Sequence, residues 1–310
     1  MRKFKTFINI LRNDPKKLKV AIARNFSNSK ISHLMPDKAY LRYMYKANFG
    51  KKLNLKNPQT FNEKLQWLKL FDRKEEYVKI VDKFEVKEYI SEKIGEEYII
   101  PTIGVWNEFD EIDFDLLPDQ FVLKCTHDSG SVVICRDKSK FDIDAAKKKL
   151  TKKLKSSLFW QAREWPYKNV KPRIIAEKYM EDNSTGELRD YKFYSFNGEP
   201  KLLYISQGLS NHETARISYL TLDWEKAPFK RNDFRDFDEL PPKPANFELM
   251  IDFCRKLSND IPFLRVDFYD INGKLYFGEL TFFPGAGFTA LEPAEWDEKM
   301  GEWIKLPYKN

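Results

Sequence analysis

Residues 263–283, FLRVDFYDINGKLYFGELTFF, constrain the fold more than any other segment of the chain. Apolar and polar residues alternate on both sides of Asn272 and Gly273, which predicts a β-hairpin with one buried face. The second arm carries one carboxylate, Glu279, among apolar neighbours. A buried charge without a partner costs on the order of several kcal/mol, so Glu279 must contact a cation or hold a metal.

The length of the hairpin loop decides which side chains share a face. A two-residue turn at Asn272-Gly273 would put Asp267 and Glu279 on opposite faces. A three-residue loop over residues 271–273, with Gly273 left-handed, would bring the two acids together and collect the apolar side chains on the other face. Because register follows the hydrophobic pattern, we predict the three-residue loop.

That register would gather four polar side chains on one face, namely Arg265, Asp267, Glu279 and Thr281. An Asp and a Glu on neighbouring strands can bind a divalent cation that also holds phosphate oxygens. The alternative is an internal salt bridge between Arg265 and one acid. Two acids beside one arginine leave one carboxylate uncompensated, which favours the metal.

Cysteine and histidine usage narrows the kind of metal. The three cysteines include no CxxC pair, so neither a disulfide scaffold nor a structural zinc is expected. The three histidines are far apart in sequence, which argues against a histidine-rich site and leaves oxygen ligands, and therefore Mg²⁺. The 310 residues are 42% apolar, which suffices for one large domain or two to three lobes around a cleft. No apolar run is long enough to cross a membrane.

Positive charge is concentrated in the first 24 residues of a chain whose net charge is +7. The apolar residues of this segment fit one helical face: Phe4, Phe7, Ile8 and Leu11. Such a helix could bind an anionic membrane surface, or it could pack on its own domain, which is our expectation. No signal peptide is evident, so we expect a cytoplasmic location, with the inner face of the cytoplasmic membrane as an option. No nucleic-acid-binding motif accompanies the charge.

The rest of the pattern predicts an α+β protein with antiparallel sheets and flanking helices. One long helix is expected over residues 63–94, capped by Thr60 or Asn62, and another over residues 142–163. Strands are expected at FVLKC, VVICRD and RIIAEKYM, and a hairpin is expected to turn at Asn197-Gly198.

Residues 208–246 are polar, aromatic and proline-bearing, so we expect a surface excursion that sets substrate specificity. Two DxD-like triplets, Asp113-Phe-Asp115 and Asp236-Phe-Asp238, would suit a metal-dependent sugar-nucleotide transferase. So short a motif also arises by chance in a chain with 47 acids. No P-loop, GxGxxG or GxSxG motif is present.

Other charged residues could serve phosphate chemistry. Lys124 lies in the apolar strand FVLKC directly before the turn DSGS, where a lysine and backbone N–H groups can cradle phosphates. A plain hairpin with a solvent-reaching lysine is the alternative. Glu177 lies on a strand that could present backbone groups to a base, or it is a surface acid. Asp190 and Lys192 share one strand face, as a charge pair or as a phosphate contact.

Six segments, taken in order, resemble the teichuronopeptide-biosynthesis (TupA-like) family of ATP-grasp enzymes: NPQTFNEKLQWLKLFDR, VDKFEVKEYI, FVLKCTHDSG, EWPYKNVKPRIIAEKYM, LRDYKFYSFNGEPK and RVDFYDINGKLYFGELTFFPGAGF. The resemblance implies an ATP-grasp fold, in which two α+β lobes with antiparallel sheets clamp ATP. We therefore expect a basic helical N-terminal extension at residues 1–60, followed by ATP-grasp segments at 61–120, 121–185 and 186–310.

The resemblance also implies which residues contact the nucleotide. The phosphates would be contacted by Lys83 and Lys124. The mobile turn that covers them would consist of Ser129, Gly130 and Ser131. The adenine hinge would consist of Glu177, Lys178 and Tyr179. The ribose or phosphate side would be lined by Asp190 and Lys192.

The last hairpin would supply the transfer centre. By resemblance, Arg265 and Lys124 would stabilise the transferring phosphoryl group, and Asp267 and Glu279 would bind Mg²⁺. Many ATP-grasp enzymes carry Asn at the position of Thr281. A hydroxyl is a weaker neutral ligand, so one metal rather than two becomes an alternative.

A member of this family would be an ATP- and Mg²⁺-dependent carboxylate–amine ligase that works through an acyl phosphate. The expected acceptor is a saccharide carboxylate or an amino acid used in capsule or cell-surface polysaccharide synthesis. The alternatives are a sugar kinase or glycosyltransferase of the same pathway, and a non-catalytic binding module. The expected partners are ATP and an acidic substrate, without nucleic acid, and with peripheral membrane contact through the basic N-terminus as an option.

Overall fold

The computed structural model describes residues 15–184, 186, 188–209 and 214–307. The first part is helical, with α1 at Pro15–Ser27, α2 at Asp37–Phe49, α3 at Phe61–Phe71, α4 at Glu76–Val81 and α5 at Val86–Ile94. Thr60 caps α3, because its hydroxyl accepts from the backbone N–H of Glu63 and the Glu63 carboxylate accepts from the backbone N–H of Thr60. Both exposed donors at the helix start are thus satisfied, which confirms Thr60 as the predicted cap.

The single long helix predicted over residues 63–94 is wrong. The chain leaves the helical conformation after Phe71 and again after Val81. At the second break, the Asp82 carboxylate accepts hydrogen bonds from the backbone N–H groups of Phe84 and Glu85 at 2.8 and 3.0 Å. Such bonds offer the backbone an alternative to the helical pattern, and hydrophobic periodicity does not detect them.

The first sheet is antiparallel and has the strand order β1-β4-β2-β3. Its strands are β1 at Thr102–Trp106, β2 at Phe121–Cys125, β3 at Val133–Cys135 and β4 at Ile174–Lys178. This confirms the predicted hairpin of FVLKC and VVICRD and the strand at RIIAEKYM. Helix α6, Ile143–Leu154, packs on β2. The helix predicted over residues 142–163 divides, because the backbone is extended at Ser157 before α7, Leu158–Ala162.

The second sheet is antiparallel and has the strand order β7-β6-β5-β8-β9. Its strands are β5 at Asp190–Phe196, β6 at Glu199–Gln207, β7 at Arg216–Thr221, β8 at Phe263–Ile271 and β9 at Lys274–Thr281. The turn predicted at Asn197-Gly198 is confirmed. Strand β7 lies inside residues 208–246, so the prediction of a surface excursion is wrong there: residues 217–220 are buried beside β6. Helices α8, Phe247–Ser258, and α9, Glu295–Trp303, complete the fold.

Two apolar cores lie beneath these elements. The smaller one is formed by the first sheet and α6 and includes Leu123 and Leu150. The larger one joins the second sheet to the N-terminal helices and includes Ala23 and Tyr40. The described part of the basic N-terminal segment therefore packs on its own domain, while residues 1–14 lie outside the described residues. No helix in the described part of the chain is long and apolar enough to span a membrane. The segment boundaries at residues 60, 120 and 185 stay a prediction.

The last hairpin has the predicted register, but its loop differs from the predicted one. Its loop is the two-residue turn Asn272-Gly273, with φ values of +52° and +78°, so the predicted three-residue loop is wrong. A bulge between Asp267 and Phe268 restores the parity, because Gly278 is the extra residue on β9. A Cβ at Gly278 would lie 3.1 Å from the Asp267 carbonyl oxygen, so glycine allows the close approach. Asp267 and Glu279 therefore face each other, as predicted.

Candidate active site

A chain of charges crosses three strands of the second sheet. Strand pairing sets Lys192 opposite Asp267 and Asp267 opposite Glu279. The Asp267 carboxylate is 1% exposed; it accepts from Arg265 Nε at 2.7 Å, from Arg265 Nη2 at 2.6 Å and from Lys192 Nζ at 2.6 Å. Lys192 also contacts Asp190 at 2.9 Å. The predicted shared face of Asp190 and Lys192 is thus confirmed, and the salt-bridge alternative for Arg265 is present.

The charges in this network hold one another ionised. Burial alone would raise the pKa of Asp267, but the neighbouring Arg265 and Lys192 outweigh it and hold that pKa below its ordinary value of 3.8. Burial alone would lower the pKa of Lys192, and Asp190 and Asp267 instead hold it well above its ordinary value. The network therefore carries fixed charges at neutral pH, oriented before any ligand arrives.

Glu279 is the open end of this chain of charges. Its side chain is 37% exposed, and among the described residues its ion-pair partner is Arg265, 3.4 Å away. The hydroxyl of Thr281 is buried and has no hydrogen-bond partner within the described residues. Two oxygens with unused acceptor capacity thus lie at the same end of β9.

The residues at this end fit a magnesium ion in part. Glu279 and Thr281 offer free oxygens, and Asp267 Oδ1 accepts only one of the three hydrogen bonds to that carboxylate, which leaves it a lone pair. Among the described residues no three His, Cys, Asp or Glu side chains cluster as metal ligands. A magnesium ion here would therefore need nucleotide oxygens as well, which is how Mg²⁺ usually binds in phosphoryl-transfer sites.

Two lysines lie at or beside the first sheet: Lys124 is on β2, and Lys83 is in the segment between α4 and α5. The backbone N–H of Lys83 donates to the Thr126 carbonyl at 3.0 Å, and its ammonium contacts the Asp128 carbonyl. Burial lowers the pKa of Lys83; Glu279 of the second sheet opposes that shift and Lys124 of the first sheet adds to it. The charges of Glu279 and Lys124 therefore both act on the Lys83 ammonium, and we take the space between these three side chains as the candidate cleft.

Glu177, predicted at the adenine hinge, forms an ion pair with one of these two lysines, Lys124. Its buried carboxylate contacts Lys124 at 2.5 Å and Lys87 at 2.7 Å. Lys87 was not singled out from the sequence, because only tertiary folding brings α5 beside β4. The other two residues predicted at the hinge, Lys178 and Tyr179, are at the end of β4: the Lys178 N–H donates to the Pro101 carbonyl at 3.0 Å, and the Tyr179 hydroxyl accepts from Arg136 at 3.0 Å.

The β2–β3 turn has an exposed tip and a buried support. Ser129 and Gly130 are exposed, and Lys153 Nζ donates to the Ser129 carbonyl at 3.0 Å. Ser131 is buried: its hydroxyl accepts from the Cys125 N–H at 2.8 Å and donates to the Asp128 carboxylate at 2.6 Å. Ser131 therefore holds the turn in shape, and the first two residues are the ones accessible to a phosphate.

We expect the unfolding free energy of the Glu177→Gln variant to fall less than that of the parent protein as the pH is lowered. Burial alone would raise the pKa of Glu177, but Lys124 and Lys87 hold it below 4.5. A depressed carboxyl pKa contributes stability above pH 4.5, and this is lost as pH falls through the folded-state pKa. The variant should be less stable than the parent by about 2 kcal/mol at pH 7, with a smaller gap at pH 3. Urea unfolding at pH 3, 5 and 7 measures this; Glu88→Gln, an exposed change on α5, is the control. Unfolding free energies of parent and variant that change equally between pH 7 and pH 3 would contradict this prediction.

A buried pair missed from the sequence lies behind the cleft. The Lys69 ammonium has no exposed surface; it donates to the Ala162 carbonyl at 2.9 Å and to the Ala286 carbonyl at 2.7 Å. Burial lowers the pKa of Lys69 to about 8. Burial also raises the pKa of Glu164 to about 7, and the charges of Lys69, Glu279 and Arg265 act on it too. Glu164 is therefore within electrostatic reach of Glu279 and Arg265. Its one sequence signal is a carboxylate among the aromatic residues of REWPY.

The loop after β9 has an unusual backbone. Gly285, Ala286 and Gly287 have φ values of +57°, +56° and +65°. Gln66 Nε2 donates to the carbonyls of Ala286 and Gly287 at 3.2 and 2.8 Å. A Cβ at Gly287 would lie 2.3 Å from that nitrogen, so this position requires glycine. Helix α3 thus holds the loop against the cleft.

Comparison with known proteins identifies the family. The TupA-like ATPgrasp family model matches residues 63–305. The chain belongs to this family. Membership, together with the two antiparallel sheets, confirms the predicted ATP-grasp α+β fold and makes this an ATP-grasp ligase-like protein. A search of curated proteins found no match.

Several solved ATP-grasp structures are similar to this chain. D-alanine–D-alanine ligase from Bacillus anthracis, complexed with ATP, has 17% identity over 66% of this chain and 55% of the ligase, with a TM-score of 0.38. The Helicobacter pylori ligase has 15% identity over 73% of this chain and 61% of the ligase, with a TM-score of 0.38. A RimK domain ATP-grasp protein from Sphaerobacter thermophilus has 8% identity over 74% of this chain and 69% of the RimK domain protein, with a TM-score of 0.40. The chain thus spans 55–61% of the two ligases.

Proposed function

We propose that the TupA-like protein is an ATP- and Mg²⁺-dependent carboxylate–amine ligase that forms an amide through an acyl phosphate. The observation that carries this proposal is that Glu279 of the second sheet and Lys124 of the first both act on the buried ammonium of Lys83, which contacts the Asp128 carbonyl just after β2. Two neighbouring ammonium groups, one of which interacts with a partly exposed carboxylate, form the charge pattern that a magnesium–nucleotide complex requires.

In the proposed reaction, an oxygen of the substrate carboxylate forms a bond to the γ-phosphorus of ATP while the bond from that phosphorus to the bridging oxygen breaks and ADP leaves. An amine nitrogen then bonds to the acyl carbon, phosphate leaves, and the nitrogen loses a proton. Lys83 and Lys124 neutralise phosphate charge, and Arg265, held in place by Asp267, stabilises the charge on the transferring group. Bound Mg²⁺ would neutralise nucleotide charge, held by Glu279, Thr281 and Asp267.

Glu164 is the proposed acceptor of the amine proton. Its carboxylate is buried near Arg265 and Glu279, and its pKa of about 7 suits proton transfer at neutral pH. Lys69 supplies the opposite charge that lets this carboxylate ionise without solvent. The nucleotide roles of Ser129, Gly130, Glu177, Lys178, Tyr179, Asp190 and Lys192 belong to the same proposal.

We further propose that the acceptor is a saccharide carboxylate or an amino acid of cell-surface polysaccharide synthesis. The family relationship and the net charge of +7 support an acidic acceptor. The glycosyltransferase alternative gains no support from the two DxD-like triplets. Asp113 accepts from the N–H of Asp115 at 3.0 Å, and Asp236 accepts from the Ser218 hydroxyl at 2.7 Å, so both serve local structure.

The test is a thermal-shift comparison of nucleotides in Mg²⁺. ATP or ADP at about 100 times its dissociation constant should stabilise the protein by about 2.7 kcal/mol, which raises Tm measurably. A UDP-sugar or a CMP-sugar should give no shift. The reverse pattern would overturn the proposal. Release of ADP with a phosphorylated sugar, instead of ADP, phosphate and an amide, would assign the site to a kinase.

A further inference from the structure

We propose that the acceptor is an extended acidic saccharide bound in a groove between α1, the loop after β9 and residues 230–238. This inference rests on the proposed ligase function and names where its acceptor lies. It also gives a role to the N-terminal helix and to the segment that follows β7.

The first part of the groove is a cavity of about 790 Å³. Helices α1 and α2 form one wall, and the loop after β9 forms the opposite wall. Among the lining side chains are Arg24, Asn28, Asn48, Gln161 and Phe288. This volume lies in the range of small-molecule sites, and it accommodates more than one sugar ring.

The cavity adjoins the reaction centre. Ala162 and Ala286 both line it, and the buried ammonium of Lys69 bonds to both of their carbonyls. Glu164 follows Ala162 by two residues, and the loop containing Ala286 directly follows the strand of Glu279 and Thr281. A carboxylate held in this cavity would therefore lie beside the proposed transfer centre.

A second cavity of about 490 Å³ extends the first, and the two share Arg231 and Asn232 in their linings. Residues 230–238 and Arg216 surround the second cavity. The shared lining means that the two cavities adjoin, and two adjoining cavities suit a chain of several units better than a single small acceptor.

The groove carries more cations than its own acids compensate. Arg231 is paired with Asp233 at 2.6 Å, and Arg216 with Asp238 at 3.1 Å. A third lining acid, Asp236, accepts from the Ser218 hydroxyl. Three further cations are exposed, and their side chains have no hydrogen-bond or ion-pair partner within the described residues: Arg24, Lys230 and Arg235. These three are available for carboxylates on a ligand.

The neutral lining points to a saccharide. Asn28, Asn48, Gln161 and Asn232 carry amides, which offer both donors and acceptors to sugar hydroxyls. Cations separated by amide side chains complement a saccharide chain in which each unit carries one carboxylate and several hydroxyls. A polyphosphate chain would require denser positive charge, and an acidic polypeptide lacks the hydroxyls.

The test is calorimetric titration of the full-length protein with hexagalacturonate, without nucleotide, against maltohexaose, hexa-L-glutamate and a dT6 oligonucleotide. We expect hexagalacturonate to bind at 1:1 and the others to bind at least about tenfold more weakly. Arg24→Gln, Lys230→Gln and Arg235→Gln should each weaken it about two- to fivefold, and the triple variant about tenfold or more. The matched control is the triple change of Lys19, Lys38 and Lys201 to Gln, which removes equal charge outside the groove.

Each outcome decides the inference. Equal weakening in both triple variants, or tighter binding of hexa-L-glutamate or dT6, overturns the saccharide groove. So does absence of hexagalacturonate binding in a protein that ATP with Mg²⁺ still stabilises, and the ligase proposal then stands. The groove triple variant should keep the full thermal shift with ATP and Mg²⁺. If ATP with Mg²⁺ gave no thermal shift in the parent protein, the ligase proposal itself would be overturned.

Discussion

Glu279→Gln is expected to remove the magnesium-dependent part of ATP binding and to lower ADP formation by about 10²- to 10³-fold. A neutral amide binds Mg²⁺ poorly and no longer offsets the charge of Lys83 across the cleft. The fold should tolerate the change, because the side chain is 37% exposed and its Arg265 contact is long, at 3.4 Å. We expect the unfolding free energy to change by less than about 1 kcal/mol.

The measurement is a calorimetric ATP titration with Mg²⁺ and with EDTA, followed by an ADP-release assay. In the parent protein Mg²⁺ should tighten ATP binding; in the variant the two titrations should coincide. Glu298→Gln, an exposed change on α9, is the control and should retain the parent behaviour. A variant that keeps the Mg²⁺ enhancement would rule Glu279 out as a ligand.

Asp267→Asn is expected to destabilise the protein by about 3–5 kcal/mol. The change leaves Arg265 and Lys192 buried without their main counter-charge, since both contact the Asp267 carboxylate at 2.6 Å. The neighbouring Asp190 and Glu279 compensate only in part, because Glu279 is 3.4 Å from Arg265 and the ion pair of Asp190 is with Lys192 and not with Arg265.

Urea unfolding at pH 7 measures this effect. Asp270→Asn on the same strand is the matched control: Asp270 is half-buried and accepts one hydrogen bond from Asn246 at 3.1 Å, which an amide oxygen can still accept. Its cost should stay below about 1 kcal/mol. Similar unfolding free energies for the two variants would show that the buried charge network contributes little to stability.

The last hairpin shows how a pattern can predict a register without predicting the backbone that produces it. Alternation of apolar residues required Asp267 opposite Glu279, and the structure has that pairing. The three-residue loop inferred to achieve it is absent, because a bulge at Gly278 performs the same shift of one residue. Hydrophobic burial determines which side chains share a face of the hairpin. A three-residue loop or a bulge each gives the register that this burial requires.

Local hydrogen bonds account for the helix break after Val81. The Asp82 carboxylate competes with the helical pattern through two backbone N–H groups, while apolar periodicity continues across the break. The prediction that the residues of β7 belong to a surface excursion was wrong for a different reason. These residues form a strand only because β6 supplies the pairing partner. Sheet pairing between distant segments leaves no local signature.

The sequence by itself determined the family, the α+β class and the charged residues of the last hairpin, because these depend on residue identity and on the period of a strand. Only the tertiary structure brought Lys87 to Glu177, Lys69 to the loop after β9, and Glu164 towards Glu279. Each of these contacts joins segments far apart in the chain. Their energies depend on burial and distance, which the packing of two sheets and their helices sets.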